Sequence, residues 1–312
     1  MTTWCWTGGR WWRPGARLIW WKPMSVVISQ SDAETGIVAA PGGALRLGFR
    51  QRGQVTELAD LLQRAPLRAL FPRSHEPEAP VAVIVNTGGG LVGGDRVDVH
   101  VHLEKGATAL VTGQAAEKVY RSTGTPCRLS ITLSVAAGAW LEWLPQETIL
   151  FNGARLERTT TVAADPAARV MAGDILVFGR TARGEGLTHG RLRDAWDVRV
   201  DGWLMFADAL ELDEDLAALL ADPACLDGAV AAATLLYVAP DADRHLARAR
   251  RLMHPHLGAG LRGGATVVGG ILLMRWLGRD AMMLRQSFGL VWAAFRSQVG
   301  GREAALPRLW SV

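Results

Sequence analysis

Hydrophobic and polar residues alternate at period two through most of the chain from residue 81 to about 212. Successive side chains of a strand point to opposite faces, so this rhythm predicts strands with one buried face. Nine segments carry it: 81–85, 97–103, 107–112, 128–135, 139–144, 154–162, 168–178, 192–200 and 203–212. Gly, Pro, Asn or Asp marks most of the breaks, and no helical stretch intervenes. Strands so closely spaced predict an all-β body, as a sandwich, a barrel or a solenoid-like coil. Residues 44–71 are expected to add one or two strands, or a turn of helix at 56–63.

The last third changes character. Asp241, after Pro240, is placed to cap a helix running to about Met253, and Asp280 to cap a second. In the second, Leu284, Phe288, Val291, Trp292, Phe295 and Val299 form one apolar stripe. The stripe is expected to dock on the β body; a groove for a partner helix is the alternative. Between the helices, ATVVGGILLMRWLG reads as a strand pair or one long bent strand, with Gly269 and Gly270 at the bend. The expected division is a strand-rich part over 44–239 and a helix-containing part over 240–312.

The run NTGGGLVGGDRV, Asn86 to Val97, puts five glycines (Gly88, Gly89, Gly90, Gly93 and Gly94) into seven positions between two strand-like segments. Such density serves positive φ or close backbone approach. It is not a phosphate loop, because Asp95 and Arg96 stand where Lys and Ser or Thr are required. Nor is it a dinucleotide fingerprint, which needs a helix to follow. It predicts a tight strand-to-strand crossing that ends on a carboxylate, Asp95.

Charge narrows the partners. The net charge is +4, yet residues 1–24 alone hold Arg10, Arg13, Arg17 and Lys22 with no acid. The other 288 residues carry 30 basic and 30 acidic side chains, so no basic face for nucleic acid is indicated. Cys5, Cys127 and Cys225 are too scattered for a disulfide framework or a zinc clip, which fits a reducing cytoplasm. No apolar run approaches the ~20 residues a membrane span requires. Residues 1–24 also hold Trp4, Trp6, Trp11, Trp12, Trp20 and Trp21. That segment reads as an unstructured extension before a natural start at Met24, with an interfacial membrane anchor as the alternative.

Several residues could carry chemistry. His100 and His102 share one face of a strand and could chelate a metal, although two solvated histidines give the same pattern. His254 and His256 flank Pro255 in what reads as a loop. Asp174 and Asp208 interrupt the apolar runs MAGDILVFGR and WLMFADALEL. A carboxylate there must be paired, hydrogen-bonded or set in a wet cavity. The residues alone favour a salt bridge for Asp174, to Arg180 or to another strand's arginine; an acidic passage for a cation is the alternative. Glu147 in LEWLPQETILFNG, with Glu185 or His189 of GRTARGEGLTHG, could form the acid–base pair of an all-β hydrolase. EKVYRS brings Lys118, Tyr120 and Arg121 together.

In order, APLRALFP (65–72), GGLVGGD (89–95), LVTGQAAEKVYRS (110–122), LEWLPQETILFNGARL (141–156), DILVFGRTARGEG (174–186) and PRLW (307–310) resemble the UreD, or UreH, family of urease accessory proteins. The resemblance covers roughly residues 44–310 and leaves the Trp-rich leader without a counterpart. Asn86-Thr87 stands where the family usually carries prolines or His-Pro, so a ligand role is not carried over there. The family implies a mainly β fold wound as a helix-like coil of strands, with a few C-terminal helices. It implies a non-enzymatic chaperone that binds apo-urease and, with UreF and the GTPase UreG, helps load nickel. Under that expectation GTP is hydrolysed on the partner, no cofactor is tightly bound, and nickel is transient cargo. Asp95, Asp174 and Asp208 become candidates for escorting nickel. Gly89, Gly90, Gly93, Gly94, Tyr120, Arg121, Gln146, Glu147, Arg180 and Glu185 become structural or partner-facing positions. Whether the accessory complex dimerises stays open.

Overall fold

The computed structural model describes residues 42–72, 79–213, 215–258 and 260–310, together with the backbone of two short strands near the start. Those strands, β1 (Cys5–Thr7) and β2 (Arg10–Trp12), pair antiparallel within a separate unit spanning Met1–Ala39. The rest of the Trp-rich leader lies outside the described residues. In the main unit the strands are β3 (Gly43–Arg52), β4 (Val55–Arg64), β5 (Leu67–Leu70), β6 (Val81–Asn86), β7 (Arg96–Leu103) and β8 (Thr108–Gly113). There follow β9 (Glu117–Val119), β10 (Cys127–Val135), β11 (Trp140–Leu144), β12 (Thr148–Leu150), β13 (Arg155–Ala164) and β14 (Arg169–Phe178). The chain closes with β15 (Arg191–Val200), β16 (Trp203–Asp213), α1 (Leu216–Ala221), β17 (Ala231–Val238), α2 (Leu246–Met253), β18 (Leu261–Val268), β19 (Ile271–Gly278) and α3 (Ala281–Gly300).

The strands wind as a coil of two main sheets. One has the order β16-β15-β13-β10-β7-β3-β4, with β15 to β3 parallel and antiparallel strands at both edges. The other runs β18-β19-β17-β14-β11-β8-β6-β5, parallel from β14 to β6. Each turn of the coil leaves the first sheet through a four-residue corner. The corners repeat one hydrogen bond, from the N–H of Ala107, Ala139 and Ala168 to the carbonyls of Glu104, Ala136 and Asp165. Stacking identical corners lets parallel strands pair without crossover helices. Beyond the second sheet, β12 pairs in parallel with the end of β14 on one side and with β9 on the other, forming a narrow third strip.

The period-two rhythm is the cause of the first sheet. In β7 the residues Val97, Val99, Val101 and Leu103 are buried and their neighbours exposed. The inward phase meets the second sheet in a core that includes Leu47, Leu133, Leu156, Leu192, Val111, Leu141 and Val170. The second sheet is covered on both faces, since α2 and α3 close its outer side over Met171, Tyr237 and Trp276. That double burial explains the nearly unbroken apolar run of β14.

Where the structure departs from expectation, local chemistry gives the reason. Residues 56–63 belong to β4 rather than to a helix, because β4 pairs with β3 across a bulge. Asp241 does not cap α2 with its side chain; it accepts from the Tyr237 hydroxyl at 3.0 Å and pairs with Arg169. Asp280 does cap α3, accepting from Met283 N at 2.8 Å, and the stripe from Leu284 to Phe295 is buried against the sheet. Gly269 and Gly270 turn the hairpin between β18 and β19 at φ +57° and +77°.

Candidate functional site

The glycine run, EKVYRS, LPQETILF, GRTARGEG and PRLW meet along the third strip. Gly89, Gly90 and Gly94 hold positive φ. At Gly90 a Cβ would lie against the Tyr120 ring and 2.7 Å from the Lys118 carbonyl; at Gly93 it would lie 2.7 Å from the Thr125 carbonyl. Gly90→Ala should therefore cost about 1–3 kcal/mol by forced overpacking, measurable as a lower urea midpoint. Unchanged stability would mean that the loop can move aside. Asp95 closes this turn by accepting from Val92 N at 2.8 Å.

The Tyr120 hydroxyl donates to Gly89 O at 3.1 Å, and its ring packs edge-on to Phe151 at 4.9 Å. Arg121 bridges Ala154 through its backbone. Gln146 donates to Leu309 O at 3.0 Å and accepts from Arg285 at 2.6 Å, tying PRLW and α3 to the strip. Glu147 pairs with Arg285 and Glu185 with Arg180. The hydrogen bond from Arg180 is the largest influence holding the Glu185 carboxyl below the usual range. An acid so placed is a poor proton donor at neutral pH, which weighs against the Glu147–Glu185 hydrolase.

Between the sheets lies a cavity of about 230 Å³, lined among others by Asn86, Gly90, Glu117, Thr148, Arg158 and Asp174. A second, of about 50 Å³, is lined by Asp174, Asp194, Trp196 and Asp208. Asp174 and Trp196 line both. Of the two partners expected for Asp174, the arginine of another strand is the one found, and Arg180 is not used. Asp174 is on the inner face of β14, and its partner is Arg158 of β13. The same guanidinium binds Asp194 of β15 through Nε–Oδ1 at 2.7 Å and Nη2–Oδ2 at 2.8 Å, and donates to Thr148 at 3.1 Å. All three charged groups are at most 6% exposed. Two carboxylates thus share one arginine. The Asp174 Oδ1 is buried with no hydrogen-bond partner among the described residues.

Asp208 stands further out on β16, paired with Arg275 of β19 across the edge of the two sheets. Asp95 lines neither cavity, but its charge reaches Glu117. Asp95, Asp174 and Asp208 therefore do not converge as one ligand set. Among the described residues no group of three or more His, Cys, Asp or Glu side chains is placed to hold a metal. His100 and His102 project from β7 into solvent.

Glu117, Arg158 and Asp194 are the residues that sequence reading passed over. Burial in the cavity pushes the Glu117 carboxyl up to about 7, only partly offset by the Asn86 amide, which donates to both its oxygens at 3.0 and 3.2 Å. Arg158 and Asp194 had a signal: each occupies the inward phase of its strand, in register with Leu156 and Val162 or with Leu192 and Val198.

A family model described as UreD urease accessory protein matches residues 42–311. The chain belongs to the UreD family. A urease accessory protein UreD of Magnetococcus marinus is 46% identical over 275 residues, covering 86% of this chain and 94% of that protein. Its counterpart in Azorhizobium caulinodans is 41% identical, covering 86% of this chain and 96% of its own length. A protein named UreD 2 in Methylorubrum populi is 41% identical, covering 91% and 95%. Membership makes this chain an accessory protein of urease, and the mainly β coil with a C-terminal helix agrees with that family's expected fold. Among the described residues no helix is long and apolar enough to cross a membrane.

Proposed function

We propose that this chain is a urease-maturation scaffold through whose interior Ni²⁺ moves toward apo-urease, with UreF and the GTPase UreG as partners and GTP hydrolysed on UreG. The observation that carries the reading is the surplus of buried carboxylate. Asp174 and Asp194 share Arg158, the second oxygen of Asp174 is unpartnered, and Asp174 borders both cavities. Glu117 shares the first cavity with Asp174 and Asp208 shares the second, so acidic groups are strung along the route instead of gathered into a cage. Carboxylate oxygen is an acceptable ligand for a borderline ion such as nickel, and sparse ligation lets the ion leave. Asp95 shapes the neighbouring turn and adds negative potential, a smaller part than the one first assigned to it.

The test is co-expression of Asp174→Asn or Asp208→Asn with urease and the accessory proteins at limiting nickel. Retention of UreF is scored by pull-down, and urease nickel by mass spectrometry. The expected result is an intact complex with urease nickel lowered several-fold. Full nickel loading in both variants overturns the passage.

A further inference from the structure

On the outer side of the third strip, between β12, the end of β14 and the start of α3, lies a separate hollow of about 570 Å³. Its floor is apolar, made by Ile149, Phe151, Ile175 and Val177, and Tyr120 and Met282 form part of the wall. Its rim is cationic: Lys118, Arg180, Arg183 and Arg285. The carboxylate on the rim, Glu147, is engaged by Arg285. Arg180 is held by Glu185 and stacked over Phe151 at 4.5 Å, and Arg285 over Trp310 at 4.4 Å, so both guanidiniums are fixed in place. Lys118 and Arg183 are exposed, and no carboxylate among the described residues stands within ion-pair distance of either. The Lys118 backbone N–H donates to the Glu117 carboxylate, while its ammonium acts on that group only across space.

We infer that this hollow receives an acidic peptide segment of a protein partner, one that carries an aromatic or large aliphatic side chain between its carboxylates. The two halves of the hollow require the two halves of that ligand. A small anion satisfies the rim and leaves the apolar floor in water. A purely apolar segment fills the floor but leaves Lys118 and Arg183 without partners. An acidic segment with one apolar anchor buries its side chain on Phe151 and Ile149 while its carboxylates meet the rim, matching the apolar core and polar rim of protein interfaces. The cations also steer such a segment during approach, so binding weakens as salt rises. The inference does not depend on nickel passage, since the hollow lies on the opposite side of the second sheet from Asp174.

The test uses the full chain in EDTA, which removes metal from the question. A phage library of random dodecapeptides is panned on the wild type, and enriched sequences are synthesised with a fluorescent label. Anisotropy then compares the wild type with K118E/R183E, whose melting curve confirms folding. The expected consensus has Asp or Glu flanking Phe, Trp or Leu, with affinity weakened about tenfold or more in K118E/R183E and falling with added NaCl. No enrichment, a consensus without acids, or equal binding to K118E/R183E overturns the inference. Displacement of the peptide by millimolar phosphate or GTP also overturns it, because the hollow would then be a small-anion site.

Discussion

Replacing Arg158 with methionine is expected to destabilise the protein by about 3–5 kcal/mol, because it strands two buried carboxylates rather than deleting a single contact. Arg158 is 3% exposed, and all three of its guanidinium nitrogens are committed to Asp174, Asp194 and Thr148. Without it, Asp174 and Asp194 must stay ionised and repel, or take up protons at a cost. Urea unfolding at pH 7 measures the loss, and a change below about 1 kcal/mol would mean that the carboxylates find other partners or water. The triple variant Arg158→Met, Asp174→Asn, Asp194→Asn removes all three charges and should recover much of the stability. It also separates structure from transport. If the acidic interior carries nickel, the triple variant folds and retains UreF yet leaves urease poorly loaded. If the cluster is purely structural, the same variant loads urease normally.

This cluster also shows how far the sequence could be read. Strand positions were legible because inner strands of the first sheet bury one face and turn the other outward, as β7 does from Arg96 to Leu103. The hairpin at Gly269 and the stripe of α3 were legible for the same reason, since local pattern and tertiary burial coincide. The polar interior was only half legible. Asp174 announces itself because the second sheet is covered on both faces and tolerates few charges. Arg158 hides in LERTTTVAA, inside a run of five consecutive polar residues, and only the phase reveals that it points inward. Its partnership with Asp174 joins strands of different sheets, and no spacing along the chain encodes that contact. Of the two partners the sequence left open, only Arg180 could be named from spacing, and it is turned outward to Glu185. Glu117 was passed over because it opens a three-residue strand, too short to show a period.

Glu117→Gln is expected to raise stability above neutral pH and to leave it nearly unchanged in acid. Burial is the main cause, lifting this carboxyl from 4.5 to about 7; the Asn86 amide opposes the shift and the charge of Asp95 adds to it. Below pH 4.5 the group is protonated in both folded and unfolded chains, and it makes no pH-dependent contribution. Between 4.5 and about 7 the unfolded chain ionises while the folded one holds its proton, so wild-type stability falls as pH rises. Above that window the loss levels off at roughly 3 kcal/mol. Glutamine has no proton to lose, can still accept from Asn86, and escapes the penalty. Urea unfolding of both proteins at pH 4.5 and pH 8 should give a difference that appears only at the higher pH; an equal difference at both would assign the effect to packing instead. The penalty also ties Glu117 to the proposed cargo. A carboxyl that burial makes slow to ionise regains its charge when a divalent cation enters beside it, and a proton leaves as the ion arrives.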